Sequence, residues 1–227
     1  MKSVIFDMDG VLILTEKMAY EGFAEVCRRH GHELSLRDYN DYFSGTRNEE
    51  AFEGFLKSKN ADTYAVNQMA DEFRAIKKKL LTSRLKEVIV LREGTKEMLE
   101  RVKQAEYKTA IATSTIREFT EMIVDGLGLR KYFEKIITAN DVSRGKPDPE
   151  VYLLAADLLG AEPGECVVVE DAQNGIKSAK NAGMACIAVR DNSFGERDLS
   201  LADYTIESFS EITPELIEEL IAKGKAR

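Results

Sequence analysis

The spacing of apolar residues changes near residue 84. From Thr15 to about Arg84, apolar side chains recur at three- and four-residue steps, which predicts amphipathic helices packed into a small helical core. The clearest series is Val66, Met69, Phe73, Ile76 and Leu80. Thr15 is predicted to be the N-cap of the first helix. The run Lys77-Lys78-Lys79 is interpreted as a solvated charged face of the last.

Beyond Arg84, short apolar runs alternate with helical patterns. The predicted strands are 107–112, 135–138, 166–169 and 184–189, and the predicted helices are 118–127, 150–159, 172–181 and 214–222. This alternation predicts a parallel sheet with helices on both faces. The first apolar run, residues 3–6, has no strand partner nearby, and we therefore assign it to the same sheet. The predicted fold is α/β, with a discontinuous Rossmann-like core (1–14 and 85–227) and an inserted all-α helical cap (15–84).

Two carboxylates, Asp7 and Asp9, follow the first predicted strand in the run VIFDMDGV. The end of a buried parallel strand is where open α/β sheets place their ligands, which favours a catalytic or Mg²⁺ site. A solvated turn is an equally simple interpretation of this segment alone. A calcium loop is disfavoured because its next ligand positions hold Val11 and Ile13.

Composition limits the classes of function. The 227 residues are 44% hydrophobic and carry a net charge of −8, so a general nucleic-acid surface is disfavoured and an anionic substrate needs a local positive patch. The three cysteines, Cys27, Cys166 and Cys186, are predicted to be buried thiols, as in a reducing cytoplasm. With only two histidines, a His-based triad or zinc cluster is disfavoured. No signal peptide or membrane span is predicted, and we expect a monomer.

Polar groups also follow the other predicted strands. Thr113 and Ser114 follow one strand and offer hydroxyl and N–H groups to a phosphate, Lys146 lies in the loop after the next, and Glu170 and Asp171 end a third. Each has a structural alternative: a helix cap, a proline-rich turn and a surface acidic pair, respectively. Their occurrence at successive strand ends favours one shared site.

These motifs resemble the haloacid dehalogenase superfamily of phosphotransferases, in the branch that includes β-phosphoglucomutase and small-molecule phosphatases. The resemblance spans almost the whole chain and rests on DMDGV, ATST, GKPDPE and VEDAQNGI, in the family's order and approximate spacing. It implies that Asp7 is the nucleophile that forms an aspartyl-phosphate and that Asp9 is the general acid and base. It also implies a Mg²⁺ ion held by Asp7, the backbone carbonyl of Asp9 and Asp171, with Glu170 a direct or indirect contributor.

The resemblance assigns the remaining roles as well. Thr113 and Ser114 would hold the phosphoryl oxygens, and Lys146 would neutralise negative charge on the phosphoryl group and nucleophile. Independently of the resemblance, the composition of the cap loop 45–48 predicts substrate or phosphate contacts at Gly45 and Arg47.

Two departures from the mutase branch lie in the cap. Ala19 stands where that branch has a His, and Ser44 stands where it has a Lys before Gly45. We therefore predict a Mg²⁺-dependent phosphatase acting on a small phosphomonoester such as a sugar phosphate. A phosphosugar mutase is the alternative, with Arg47 or Lys17 gripping a second phosphate. A response-regulator-like phospho-Asp module is disfavoured by Asp9 and by the helical insertion.

Overall fold

The computed structural model describes residues 2–191, 195 and 197–225. The strands in these residues are β1 (Ser3–Phe6), β2 (Ile13–Leu14), β3 (Val90–Leu91), β4 (Lys108–Ala112), β5 (Lys135–Ile137), β6 (Cys166–Glu170), β7 (Ala185–Val189) and β8 (Tyr204–Ile206). The helices are α1 (Glu16–Arg29), α2 (Leu36–Asp38), α3 (Asn48–Ser58), α4 (Val66–Val88), α5 (Thr95–Gln104), α6 (Arg117–Gly126), α7 (Glu150–Leu159), α8 (Gln173–Asn181) and α9 (Pro214–Lys225). A π-helical turn, Tyr39–Phe43, follows α2.

A parallel sheet with strand order β5-β4-β1-β6-β7-β8 forms the larger unit. Strand β1 lies between β4 and β6, and its last residue, Phe6, is paired with Ile111 on one side and Val169 on the other. The carboxyl ends of these three strands therefore meet at one edge of the sheet, beside the point where the strand order reverses. The predicted α/β fold with a helical cap is confirmed.

Both faces of the sheet are covered by helices, as the continuous apolar runs predicted. On one face, Val4 and Phe6 pack in a cluster with residues of α5, α6 and α9. On the other, Ile5 packs with residues of α7 and α8. All four residues of β1 are buried, so the strand preceding Asp7 is fixed from both sides.

The helical cap, built from α1 to α4, has its own aromatic core. Phe23 stacks on Phe73 with ring centroids 3.7 Å apart, and it also contacts Phe43 and Phe52. The predicted helical stripes thus form an internal core. Leu80, the last member of the α4 stripe, instead packs against the core of the sheet unit.

The connection between the two units contains elements that the periodicity did not predict. Strands β2 and β3 pair antiparallel, Ile13 opposite Leu91, where the chain enters and leaves the helical unit. Helix α4 continues past the expected boundary, but Arg84 has non-helical backbone angles that kink it. Strands of two residues are too short to show a period of two, so the sequence pattern could not predict β2 and β3. Elsewhere in the chain, the pattern also did not predict α5 and β8. The cap boundaries themselves stay a prediction.

The three cysteines are buried and free, as expected. Burial raises the pKa of the Cys166 thiol to about 11 and that of Cys27 to about 12, so neither thiol is an available thiolate at neutral pH. Within the described residues, no helix is both long enough and apolar enough to span a membrane.

Candidate active site

Asp7 and Lys146 form the centre of the site. Asp7 directly follows β1 and is held there by its N–H, which donates to the carbonyl of Val169 at 3.0 Å. Lys146 Nζ lies 2.6 Å from Asp7 Oδ1, and the Lys146 side chain is 1% exposed. A lysine buried to this degree requires anionic partners, and Asp7 is the first of two.

Glu170, the last residue of β6, is the second partner of Lys146. Its Oε1 accepts from Lys146 Nζ at 2.7 Å and from the Tyr152 hydroxyl at 2.9 Å. Its Oε2 accepts from the backbone N–H groups of Asp171 and Ala172. Each carboxylate oxygen thus has two donors, which fills the ordinary acceptor capacity of the group.

The start of α8 makes room for this carboxylate. A Cβ on Gly175 would lie 1.6 Å from Glu170 Oε1, so only glycine permits this close approach between helix and strand end. Burial acts to raise the pKa of Glu170, but Lys146 and the surrounding donors hold it below its ordinary value. Glu170 is therefore a fixed negative charge.

Asp171 is bonded to an arginine that the sequence did not single out. Arg197 Nη1 donates to Asp171 Oδ2, and Arg197 Nη2 lies 3.7 Å from Glu16 Oε1 at the start of α1. Burial raises the pKa of Asp171 to about 7, with Arg197 opposing this effect and Glu170 adding to it. Arg197 lies in a stretch of sequence that has no apolar periodicity and is not at a strand end, so the pattern offered no signal for it.

Asp9 sits in a polar network between the two units. Its Oδ1 accepts from the Thr15 hydroxyl at 2.9 Å, and its Oδ2 accepts from the Thr115 hydroxyl at 2.8 Å. Thr15 does occupy the N-cap position of α1, but its side chain makes no cap hydrogen bond because it is turned to Asp9. The Thr113 hydroxyl lies 3.5 Å from Asp9 Oδ2.

Lys77 corrects the interpretation of the lysine run. Its side chain is 8% exposed, and its Nζ lies 3.8 Å from Asp9 Oδ1 and 3.4 Å from Thr115 Oγ1. The other two lysines of the run are exposed, as expected. In the sequence the three lysines are equivalent. Only the structure shows that Lys77 lies on the face of α4 that turns toward the sheet unit. A cation from the cap thus stands beside Asp9.

Several hydrogen bonds join the cap to the sheet edge. The Ser114 hydroxyl donates to the carbonyl of Gly45 at 3.0 Å, and Asn174 Nδ2 donates to Thr46 Oγ1 at 3.0 Å. Arg47 donates to three backbone carbonyls of the loop after β5: Ala139, Val142 and Ser143. Gly45 and Arg47 therefore lie at the site, as predicted, and their contact with substrate stays a prediction.

A cavity of about 420 Å³ lies between cap and sheet edge. Asp7, Asp9, Thr113 and Ser114 line its lower end together with Thr115. Its cap side is lined by Ala19, Phe23, Tyr39, Phe43, Arg47, Glu49, Phe73 and Arg74, among others. The cavity brings the predicted nucleophile, proton donor and phosphate-binding residues to one space large enough for a small metabolite.

Asp7 forms a buried cluster with two further carboxylates, and the cations hydrogen-bonded to this cluster, Lys146 and Arg197, are fewer than its three acidic groups. One oxygen of each of Asp7, Glu170 and Asp171 lies within 4.8 Å of the others. Burial raises the pKa of Asp7 well above its ordinary value, and repulsion from Glu170 and Asp171 adds to this while Lys146 opposes it. Oxygen ligands under mutual repulsion fit a hard divalent cation such as Mg²⁺, which would relieve the repulsion.

The fold and this carboxylate–lysine site define a hydrolase class. Residues 4–189 match the sequence profile of the haloacid dehalogenase-like hydrolases, and the chain belongs to this family. It is 33% identical to validoxylamine A 7'-phosphate phosphatase of Streptomyces hygroscopicus subsp. limoneus, over 94% of this chain and 99% of that protein. It is 30% identical to β-phosphoglucomutase of Bacillus subtilis, over 96% and 95% of the two chains.

Solved structures agree with the family assignment. CbbY from Rhodobacter sphaeroides in complex with phosphate is 28% identical, with a TM-score of 0.78 over 93% of this chain and 96% of that one. A second CbbY structure, with a TM-score of 0.79 and 27% identity, covers the same shares of the two chains and contains xylulose-(1,5)bisphosphate. The predicted resemblance to this branch of the superfamily is confirmed.

Proposed function

We propose that this protein is a Mg²⁺-dependent phosphatase that hydrolyses a small phosphomonoester, such as a sugar phosphate, through an aspartyl-phosphate on Asp7. The observation that carries the proposal is the buried contact between Lys146 and Asp7, a residue that lines the cavity together with Asp9. Relatives named as phosphatases, including the phosphorylated carbohydrates phosphatase of Thermotoga maritima at 33% identity over 81% of this chain, support the enzyme class.

The first step is attack of Asp7 on phosphorus, in line with the leaving oxygen, which divides one difficult displacement into two easier ones. Lys146 holds the attacking carboxylate in place and offsets the charge that gathers around the transferred group. Glu170, bonded on all sides, keeps Lys146 oriented. Thr113 and Ser114 lie on the cavity wall, where their hydroxyl and N–H groups can hold phosphoryl oxygens.

Asp9 supplies the proton that the leaving oxygen needs, because it lines the cavity and is oriented by Thr15 and Thr115. In the second half of the reaction, Asp9 takes a proton from the water that attacks the aspartyl-phosphate. Lys77 stabilises the carboxylate that remains after proton donation.

Asp7, Asp171 and the backbone carbonyl of Asp9 would hold the Mg²⁺ ion. When bound, it would neutralise negative charge on the phosphoryl group and on the nucleophile. The two carboxylates fit this role because burial and repulsion raise the pKa of both. Glu170 contributes through Lys146, since both of its oxygens already have two donors.

The test is phosphate release from p-nitrophenyl phosphate and a panel of sugar monophosphates, with Mg²⁺ or with EDTA. We expect release only with Mg²⁺, and loss of release in Asp7→Asn and Asp9→Asn. Asp41→Asn, an exposed cap carboxylate outside the cavity lining, serves as the matched control and should behave as the native protein. Release that survives Asp7→Asn would refute the aspartyl-phosphate route.

A phosphosugar mutase is the alternative outcome of the same assay. It would give phosphorylation of Asp7 and isomerised sugar phosphate with little free phosphate. The similarity to β-phosphoglucomutase of Bacillus subtilis keeps this outcome open. Ala19, in place of the mutase branch's His, stands on the cavity wall and argues for water as the acceptor.

A further inference from the structure

The cap half of the cavity has aromatic walls, and the two arginines that line it already have hydrogen-bond partners within the protein. We propose that it selects an uncharged, hydroxylated leaving group with an apolar face and discriminates against one that carries a second phosphate, with the Glu49–Arg74 pair as the determinant. This proposal rests on the proposed phosphatase function and specifies its substrate class. It follows because, among the described residues, the cations lining the cavity already interact with other groups of the protein.

Arg47 hydrogen-bonds to the protein backbone. Its Nη1 donates to the Ser143 carbonyl at 3.0 Å, and its Nη2 donates to Ala139 and Val142 at 2.9 and 2.5 Å. One N–H, at Nε, is buried without a partner. Strong recognition of phosphate by arginine uses two parallel N–H groups, from Nη2 together with either Nε or Nη1. Both N–H groups of Nη2 are already used by the protein backbone, so Arg47 cannot offer such a pair.

Arg74 forms ion pairs with two carboxylates. Its Nη2 donates to Glu49 Oε1, and its Nη1 donates to Asp71 Oδ1 at 2.6 Å. Glu49 and Arg74 both line the cavity, whereas Asp71 lies outside it on the same helix as Arg74. The third lining cation, Lys77, is beside Asp9 at the reacting end. A second phosphate near Arg74 would therefore compete with Glu49 for this guanidinium and would face the negative charge of the Glu49 carboxylate.

The rest of the cap wall suits a neutral ring or polyol. Phe23, Phe43 and Phe73 offer apolar faces, and Asn48 and Asn140 offer amide groups to hydroxyls. Glu49 and Glu50 add acceptors for hydroxyl donors. Their two negative charges also offset the two positive charges of Arg47 and Arg74 on the cavity wall. A leaving group with hydroxyls on one side and C–H surface on the other would match both kinds of wall.

The experiment compares kcat/KM for fructose 1-phosphate, fructose 6-phosphate and fructose 1,6-bisphosphate, and for glucose 1-phosphate, glucose 6-phosphate and glucose 1,6-bisphosphate. For a compound that is not turned over, its inhibition constant against p-nitrophenyl phosphate hydrolysis is compared instead. We expect each bisphosphate to be at least about tenfold poorer than the better monophosphate of the same sugar, the size of one misplaced charged hydrogen bond. Bisphosphates that equal or exceed the monophosphates would overturn the proposal.

Glu49→Gln tests the determinant. It removes the cavity carboxylate and releases Arg74, so the monophosphate preference should fall by about tenfold. Asp71→Asn is the matched control: it removes the other partner of Arg74 without changing the cavity charge, and it should leave the preference unchanged. Equal effects of the two variants, or none from Glu49→Gln, would refute the assignment. Failure of the phosphatase function itself would look different, since p-nitrophenyl phosphate would then not be hydrolysed.

Discussion

The charge balance around Lys146 makes a quantitative prediction for Lys146→Met. Methionine keeps most of the side-chain volume but removes two charge-assisted hydrogen bonds, at 2.6 Å to Asp7 and 2.7 Å to Glu170. Both carboxylates are nearly inaccessible, with side chains 7% and 0% exposed, so water cannot replace the lost ammonium. Removing one partner of a buried ion pair costs about 3–5 kcal/mol, and we expect that loss in the free energy of unfolding at about pH 7.5.

The loss should depend on pH with a defined sign. In the native protein the pKa of Glu170 is below its ordinary value of 4.5, so its pairing stabilises the fold above that pH and is lost as the pH falls through the lowered value. Without Lys146, burial is opposed only by the donors on Tyr152 and the backbone, and we expect the pKa of Glu170 to rise above its unfolded value. The pKa of Asp7, which burial already raises in the native protein, would rise further. The variant's fold is then destabilised as the pH rises, and the difference from native should shrink at about pH 5.

Urea unfolding of metal-free protein at the two pH values measures this loss, and Glu170→Gln completes a double-mutant cycle. Since the neutral amide no longer needs a cation, Glu170→Gln should cost at least about 1 kcal/mol less in the Lys146→Met background than in the native one. Phosphate release by Lys146→Met should fall by about a hundredfold or more. A destabilisation under about 1 kcal/mol that is equal at both pH values would refute this account of the buried pair.

Three further predictions follow from the neighbouring groups. Lys77→Met should lower kcat more for a sugar phosphate, whose leaving oxygen needs a proton, than for p-nitrophenyl phosphate; equal losses would contradict its role beside the proton donor. The pKa of Asp171 is raised to about 7, so protonated Asp171 favours the metal-free fold at low pH and this contribution is lost as the pH rises through about 7. Because Mg²⁺ binds the ionised carboxylate, it should raise Tm more at about pH 8 than at about pH 5.5. Equal Tm shifts at the two pH values would contradict this. Gly175→Ala places a Cβ 1.6 Å from Glu170 Oε1 and should lower the free energy of unfolding by about 1–3 kcal/mol, with loss of activity. Gly224→Ala is the control, because a Cβ there meets no other atom, and it should be neutral or mildly stabilising. Similar unfolding curves for the two variants would contradict this prediction.

The core of the site could be inferred from sequence because it follows from strand ends. Asp7, Thr113 and Glu170 each come directly after or at the end of an apolar run, and parallel strands bring such ends to one edge. The strand boundaries were accurate to about one residue because the runs are continuous and bounded by polar residues. Strands β2 and β3, which connect the two units, are too short for any periodic signal, so only their mutual hydrogen bonding defines them.

The sequence by itself determined the fold class, the family and the identity of the strand-end residues, because these depend on local periodicity and on short motifs in fixed order. Only the tertiary structure placed Lys77 beside Asp9, joined Arg197 to Asp171 and paired Arg74 with Glu49. These contacts join residues of different elements, most of them far apart in sequence. A charged residue in a polar helix or loop has the same local pattern whether it faces solvent or a partner. Packing between elements, and not composition, decides which charged residue finds a partner and which is solvated.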